Sequence, residues 1–456
     1  NTNNNRLRNS NSIINNNAVY QANNNPLSAA TTIAAVPINY NELIHNENKK
    51  PSVYWSIDNL LVDTMASYRT TPLSKEDREK RKSWTGQHAP NKDDLNPYVR
   101  PLPPQVANPN ENMAACMLIM DDNHRLTEWL AYHTHVMPLD YLVVGVDPRS
   151  RTSPSPIFDQ WKNTVKIVEW TEHEILAGRE KRWQFIQMGR KQNNEADLWA
   201  HDHRQRQNMF LRNCLIHMKD QNRTWVLLID SDEYLLFNGK EDSMENYDGI
   251  RYPSVATKGA VMNFLHSPRV RALPQFWNPC ISIPRMLFGA VESSQEQTKN
   301  TILASDQINV TKFNTLRYRK HIRREVTHTH ATNGWGKTLI DVSRIDYKYF
   351  PTPHQAFQTN PYYLTVHDPI PKICPKPFVK DENTLLRVNH YVGSWEAFSF
   401  RSDARAKEGR GKINWEDKAK RADEDDDNIR PWMNGYIKEY SIKEAKERLK
   451  MTGVFE

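Results

Sequence analysis

Residues 225–237 read WVLLIDSDEYLLF, an apolar run that ends in Asp230, Ser231, Asp232 and Glu233 and is followed by a second apolar run. A short bounded apolar run is typical of a central strand that is covered on both faces. Its carboxylates would then lie at the carboxyl end of the strand, where open α/β sheets bind ligands. Two Asp separated by one residue can present oxygens to one hard divalent cation that also contacts substrate phosphates. The stretch therefore predicts a metal site facing a phosphorylated ligand, with a solvated turn as the simpler alternative.

The composition is that of a globular protein, but its low hydrophobic content indicates that part of the chain does not fold into a core. The 456 residues carry a net charge of +7 and 38% hydrophobic residues, and the mean hydropathy is -0.78. Basic residues are interspersed with nearly as many acids, which argues against a nucleic-acid partner. No apolar run approaches the roughly 18 residues of a membrane span. Because the first residue is Asn rather than Met, we expect any membrane contact to come from an anchor that precedes this sequence.

Composition changes along the chain and predicts four parts. Residues 1–50 are Asn-rich and have too few large apolar residues to offset the entropy of ordering, which predicts a disordered stem. Residues 51–112 mix aromatic, charged and Pro-rich pieces and are interpreted as an extended arm on the domain. Residues 113–405 form the predicted catalytic domain, and residues 406–456 a charged C-terminal extension with a helix.

The domain begins with a pattern that predicts a βαβ unit. Residues 114–120 (AACMLIM) and 139–146 (LDYLVVGV) are apolar runs separated by apolar residues at helical spacing. The turn after the first run holds Asp122 and Asn123, which we interpret as nucleotide contacts or, equally, as a helix cap. Further alternation of strands and helices predicts an α/β fold with a mostly parallel, doubly wound sheet flanked by helices.

Four blocks of sequence resemble glycosyltransferase family 92. They are ACMLIMDDNHRLTEWLAYHTHVMPLDYLVV, QRQNMFLRNCLIHMKDQNRTWVLLIDSDEYLLF, GKTLIDVSRIDYKYFPTPH and VNHYVGSWEAFSFR, in the family's order. The resemblance implies a GT-A fold, an inverting mechanism, a nucleotide-sugar donor, usually UDP-linked and possibly carrying galactose, and Mn²⁺ held by the Asp-x-Asp. Two positions depart from the family. Asp121, Asp122 and Asn123 replace its usual Asn-Glu pair, and Gly393 replaces a Lys.

The resemblance assigns roles to individual residues. Asp230 and Asp232 would bind the metal, Asp230 also reaching the nucleotide, and His390 would be a further metal ligand or a structural histidine. Lys337 would contact the diphosphate as a point charge. Its alternative is a solvated residue at the end of a strand. Glu292, behind a Phe-Gly turn that resembles the acceptor-side loop, is the candidate general base, with an exposed loop acid as its alternative. Glu233 would continue the acidic patch or, alternatively, turn away and pair with a surface base.

These assignments predict a metal-dependent inverting hexosyltransferase that acts on a glycan acceptor. One alternative is a haloacid-dehalogenase-like phosphatase, in which the first Asp of such a triplet is the nucleophile. Another is a non-catalytic sugar-binding module. Sequons at Asn222 and Asn309 favour a type II membrane protein of the Golgi or ER lumen.

Three further segments carry structural expectations. Cys116 and Cys214 are predicted to be core residues, whereas Cys280 and Cys374 lie beside prolines and are candidates for a disulfide in an oxidising compartment. Residues 317–324 (RYRKHIRR) are interpreted as the solvated face of a helix, and the acids of residues 423–427 as a disordered bend.

Overall fold

The computed structural model describes residue 108 and residues 110–177, 195–243, 249–273, 276, 278–292, 302–303, 306–322, 336–353, 356, 369–370, 373–374, 384–400 and 411–450. The predicted stem, residues 1–50, and the predicted arm up to residue 107 lie outside these ranges.

Within these ranges the chain contains both strands and helices on either side of the acidic turn. The strands are β1 (Met113–Ile119), β2 (Leu139–Val146), β3 (Lys166–Trp170), β4 (Trp225–Leu228), β5 (Glu233–Phe237), β6 (Cys280–Ile283), β7 (Arg285–Phe288), β8 (Lys320–Ile322), β9 (Lys337–Asp341), β10 (Leu386–Tyr391) and β11 (Ala422–Asp425). The helices are α1 (Asn123–Val136), α2 (Ser155–Trp161), α3 (Glu172–Ile175), α4 (Glu195–Asp220), α5 (Ala260–His266), α6 (Pro268–Arg271), α7 (Asn314–Arg317), α8 (Trp395–Phe400), α9 (Lys412–Arg421) and α10 (Pro431–Arg448). Three short 3-10 helices cover Val310–Lys312, Val342–Arg344 and Tyr347–Tyr349.

The strands form two mixed sheets, so the α/β prediction is confirmed but the mostly parallel sheet is wrong. The first sheet has the order β3-β2-β1-β4-β9-β6 and the second the order β11-β8-β7-β10-β5. Strands β1 to β4 pair in parallel, whereas β9 is antiparallel to both of its neighbours. Parallel neighbours need long crossovers, which in the first sheet occur only between β1 and β4; in the second sheet β7 and β10 are the parallel pair. The apolar runs predicted the parallel part of the first sheet and gave no direction for later strands.

The first sheet is held against α4 on one face by apolar packing and a disulfide. Phe210, Cys214 and Met218 of α4 are fully buried against this sheet. Cys214 is bonded to Cys116 of β1, so these two residues are buried as predicted but are also paired. The predicted disulfide between Cys280 and Cys374 is present.

Helix α1 fills the space between the two sheets and satisfies the open edge of the second. Strand β5 is the last strand of that sheet, so its outer backbone groups need partners. Trp129 Nε1 donates to the carbonyl of Glu233 at 3.1 Å, and Tyr132 Oη donates to the carbonyl of Leu235 at 2.7 Å. His133 Nε2 accepts from the Leu235 amide at 3.5 Å. Burial lowers the pKa of His133 to about 3, which keeps it neutral and able to accept.

The last described segment belongs to the same core. Trp432 and Tyr436 of α10 are buried in the cluster that includes α1. The predicted acidic bend is wrong, since its first residues form β11, which pairs with β8. The predicted helical face at residues 317–324 is wrong for the strand β8, which covers residues 320–322; residue 317 ends α7, and residues 323–324 lie outside the described ranges. The acids are ordered here because they meet arginines: Asp426 pairs with Arg387, and Asp427 with Arg319.

Candidate functional site

The acidic turn lies where the strand order of the first sheet reverses. The chain adds β2 and β3 on one side of β1 and then returns to place β4 on the other side. The carboxyl ends of β1 and β4 therefore flank a topological switch point, the usual ligand-binding crevice of such sheets. Asp121 and Asp122 follow β1, and residues 230–232 follow β4. The acidic turn was predicted to lie at the carboxyl end of a central strand, and this position is confirmed.

Antiparallel pairing brings one end of each of two later strands to the acidic turn. Strand β9 runs opposite to β4, with Thr338 beside Leu228, so its first residue, Lys337, lies beside the acidic turn. Strand β10 runs opposite to β5, and His390 near its end is beside Glu233. The structure thus brings together Asp230, Asp232, Lys337 and His390, although they are far apart in sequence.

Lys337 lies buried between two carboxylates. Its Nζ is 2.7 Å from Asp230 Oδ2 and 2.9 Å from Glu233 Oε2. Lys337 and Glu233 have fully buried side chains, while that of Asp230 is 37% exposed. Burial acts to lower the pKa of Lys337, but Asp230 and Glu233 outweigh it and raise that pKa. Conversely, burial acts to raise the pKa of Asp230, and Lys337 outweighs it so that the pKa is lowered.

Glu233 therefore does not turn away to pair with a surface base. Arg285 NH1 approaches its other oxygen, Oε1, at 3.7 Å, and its Oε2 also accepts from the Asp230 amide at 3.0 Å. Glu233 fixes both the side chain of Lys337 and the backbone of the acidic turn. It is a structural acid behind Asp230.

Asp232 is held from the other side by Arg125 of α1. Arg125 NH1 donates to Asp232 Oδ2 at 2.7 Å, and the two side chains are 4% and 12% exposed. The second oxygen, Asp232 Oδ1, faces His390 Nε2 at 3.6 Å. His390 Nδ1 is buried and has no hydrogen-bond partner. We call Asp230, Asp232 and His390 the candidate cation site.

Arg125 also contacts the chain that follows β10. Its NH2 donates to the carbonyl of Val392 at 3.4 Å, and its Nε to His124 Nε2 at 3.1 Å. The next residue, Gly393, has φ +78°, and a Cβ there would lie 3.0 Å from Arg125 NH2. A side chain at residue 393 would enter the space of the guanidinium. The cation beside Asp232 comes from α1, whereas the family that the sequence resembles usually has a Lys at the position of Gly393.

The turn after β1 is buried and internally bonded. Asp122 precedes the first residue of α1 but makes no side-chain cap, and its Oδ2 accepts from the Met120 amide at 3.0 Å. Asn123 Nδ2 donates to the carbonyl of Ser153 at 2.8 Å. Both side chains shape the edge beside the acidic turn. Their predicted contact with a nucleotide stays a prediction.

Glu292, the candidate base, lies in an exposed ion pair. It forms a bridge with Tyr318 and pairs with Arg317, and its side chain is 47% exposed. The hydroxyl of Tyr318 is buried without a hydrogen-bond partner. Burial raises the pKa of Tyr318, and Arg125 acts in the opposite direction. Its role as a base stays a prediction.

The donor set suits a hard cation that takes its remaining ligands from water and substrate. In the described part of the chain no three His, Cys, Asp or Glu side chains are grouped closely enough to hold a metal. Two facing donors are present, because the 3.6 Å between Asp232 Oδ1 and His390 Nε2 is less than two metal–ligand bonds of about 2.1 Å each. A site with few protein ligands is what a cation shared with a diphosphate requires.

The sequence prediction missed Arg125 and Arg285. A signal was available for Arg125, since it lies four residues before Trp129 and so on the same helical stripe as that buried residue. A charge on a buried stripe requires a partner. For Arg285 the chain offers no comparable signal, because its strand was not predicted.

Comparison with known proteins leaves the family resemblance as a prediction. No protein-family model matches the chain, and a search of curated proteins finds no match. Among the helices of the described ranges, none is long and apolar enough to cross a membrane.

Proposed function

We propose that the chain is a metal-dependent, inverting glycosyltransferase with a GT-A fold. It would move a sugar, such as galactose, from a nucleotide donor, such as a UDP-sugar, to a glycan hydroxyl. The observation that carries the proposal is that Asp232 Oδ1 faces His390 Nε2 at 3.6 Å, in the acidic turn that follows β4 at the switch point between β1 and β4. Acids at this position, held in place by internal cations, suit a ligand that arrives with a metal and phosphates.

The chemistry requires stabilisation of a leaving diphosphate. When the sugar departs, negative charge develops on the diphosphate, and a cation held by the candidate cation site would neutralise it. Lys337 has no exposed surface, so in the proposal it keeps Asp230 ionised and oriented; a diphosphate would have to reach its ammonium past Asp230. Asp122 and Asn123 would border the nucleotide at the end of β1.

The transfer itself needs one proton acceptor. The acceptor hydroxyl oxygen forms a bond to the anomeric carbon, while the bond from that carbon to the diphosphate oxygen breaks. The bonding electron pair leaves with the nucleoside diphosphate, and the hydroxyl proton passes to the base. Glu292 is the proposed base because its carboxylate is half exposed and so open to an acceptor hydroxyl. Arg317 would be displaced from it, or would share it, when an acceptor binds.

Two observations support placing the protein in the lumen of the Golgi or ER. Disulfides join Cys116 to Cys214 and Cys280 to Cys374, and such bonds persist in oxidising compartments. The two sequon asparagines, residues 222 and 309, are both exposed. A type II membrane protein facing that lumen is the arrangement that we propose.

The test is the variant Asp232→Asn, compared with Asp426→Asn. Both acids are largely buried and paired with a buried arginine, Asp232 with Arg125 at 2.7 Å and Asp426 with Arg387 at 2.5 Å. Asn keeps an oxygen for the arginine and removes only the charge. We expect Asp232→Asn to lower transfer by about 10²–10³-fold and Asp426→Asn to lower stability alone. Turnover is measured with UDP-sugars, Mn²⁺ and oligosaccharide acceptors, with circular dichroism as the folding control.

Three results would overturn the proposal. Wild-type turnover by folded Asp232→Asn protein would show that the acidic turn is not the site. Hydrolysis of an aryl phosphate that depends on Asp230, without any sugar transfer, would favour the phosphatase alternative. Binding of UDP-sugars or glycans without turnover of any donor would favour the sugar-binding module.

A further inference from the structure

We infer that Arg125 is a positioning residue of the candidate cation site and that Gly393 supports this role, because a side chain there would press on the guanidinium of Arg125. The inference rests on the proposed function. It adds a residue outside the acidic turn, on α1, that decides how well Asp232 binds a cation.

The first support is the number of contacts that fix the guanidinium. Arg125 is 3% exposed, and each of its three nitrogens has a different partner. NH1 donates to Asp232 Oδ2, NH2 to the carbonyl of Val392, and Nε to His124 Nε2. A planar guanidinium held at three points has one orientation, unlike the mobile ammonium of a lysine. The carboxylate that it holds is therefore fixed as well.

The second support is the choice of carboxylate oxygen on Asp232 that Arg125 binds. It binds Oδ2 of Asp232, while Oδ1 faces His390 Nε2 at 3.6 Å. A group that orients a ligand in this way, without touching the metal, typically changes metal affinity by about 10–100-fold when it is lost. A purely structural arginine would change stability and leave metal affinity unaltered.

The third support is the backbone at Gly393. Its φ of +78° is in the left-handed region that favours glycine, and an added Cβ would lie 3.0 Å from Arg125 NH2. A methyl group there would push the guanidinium without altering Asp232, His390 or Arg125 itself. Gly393→Ala therefore perturbs the same contact from the opposite side.

The experiment measures Mn²⁺ binding to the full chain without donor, by the loss of the electron paramagnetic resonance signal of free Mn²⁺. Arg125→Lys and Gly393→Ala should each weaken Mn²⁺ binding by about 10–100-fold. Arg271→Lys is the control for the arginine, because Arg271 is also buried and paired with a carboxylate, Glu111. Gly259→Ala is the control for the glycine, since its φ is +72° but its Cβ would meet no atom closer than 3.8 Å.

Both controls should lose stability comparable to their matched variants and keep wild-type Mn²⁺ affinity. Wild-type Mn²⁺ affinity in folded Arg125→Lys and Gly393→Ala proteins would overturn this inference and leave the proposed function standing. Equal weakening in Gly259→Ala or Arg271→Lys would also overturn it, because general destabilisation would then explain the effect. Absence of Mn²⁺ binding by the wild-type protein would overturn both the inference and the cation site of the proposed function.

Discussion

Replacing Lys337 with Met should lower the free energy of unfolding far more than removing the lysine of a surface ion pair of the same length. Lys337 Nζ lies 2.7 Å from Asp230 and 2.9 Å from Glu233, and both Lys337 and Glu233 are fully buried. Lys258 Nζ lies 2.8 Å from Glu439, but these side chains are 48% and 39% exposed. Lys258→Met is therefore a control that matches the distance and changes the burial.

The expected magnitude follows from the buried carboxylate that is left behind. Removing one partner of a buried ion pair costs about 3–5 kcal/mol, because the remaining charge loses its compensation. Arg285, 3.7 Å from Glu233 Oε1, compensates part of that charge. We therefore expect Lys337→Met to lower the free energy of unfolding by about 3 kcal/mol. An exposed pair contributes only about 0–1 kcal/mol, which bounds the effect of Lys258→Met.

The loss should also depend on pH with a predictable sign. The lowered pKa of Asp230 means that its pairing with Lys337 stabilises the fold above the unfolded pKa of about 3.9. That contribution disappears as pH falls through the lower, folded pKa. The gap in unfolding free energy between wild type and Lys337→Met should therefore narrow below about pH 4.

Urea unfolding followed by tryptophan fluorescence, at pH 7 and at a series of pH values below about 4, measures both effects. A loss for Lys337→Met at pH 7 that is no larger than the loss for Lys258→Met would refute the reasoning. It would mean that Glu233 has enough other partners to remain buried and charged without the lysine.

Three other properties can be tested with single or paired substitutions. Burial raises the pKa of Asp341 to about 6, so ionising it costs stability as pH rises from about 4 to 6; Asp341→Asn should add roughly 1–3 kcal/mol at pH 7, measured by urea unfolding, and equal stability at that pH would contradict it. Replacing Cys116 and Cys214 with Ala opens a loop of 98 residues and should cost about 2–4 kcal/mol in the same assay; an unchanged midpoint would count against the bond. Material made in a secretory pathway should lose mass at Asn222 and Asn309 on enzymatic deglycosylation, and two unmodified sites would argue against the lumenal location.

The part of the fold that could be predicted is the part in which each strand is a bounded apolar run joined to the next by a helix. Strands β1, β2 and β4 satisfy this, and so does the position of the acidic turn. The second apolar run, residues 233–237, looks like a continuation of the same strand. It instead forms β5 of the other sheet, because the chain turns at residues 229–232. Periodicity locates strands but does not assign them to a sheet.

The partners of the acids could not be predicted, because they lie far away along the chain. Asp230 and Lys337 are 107 residues apart, and so are Arg125 and Asp232. The need for such partners could be foreseen, since buried carboxylates must be compensated. Which cation supplies the compensation depends on the antiparallel register of β9 and on the packing of α1. Neither leaves a local pattern in the sequence.

The balance of charge at the acidic turn leads to one more prediction, on the coupling between Mn²⁺ binding and UDP binding. Asp230, Asp232 and Glu233 contribute three negative charges, and Lys337, Arg125 and Arg285 pair with them. A divalent cation entering alone gives this balanced turn an excess of two positive charges, which the diphosphate of a nucleotide would cancel.

Mn²⁺ and UDP should therefore each strengthen the binding of the other by the same factor, as thermodynamic linkage requires. A coupling of 1–3 kcal/mol corresponds to about 5–150-fold. Titrating Mn²⁺ with and without saturating UDP, and UDP with and without saturating Mn²⁺, measures that factor twice, with uridine as the control that lacks phosphates. If Mn²⁺ binds equally well with UDP, with uridine and alone, the turn is not balanced by its internal cations in the way that these contacts indicate.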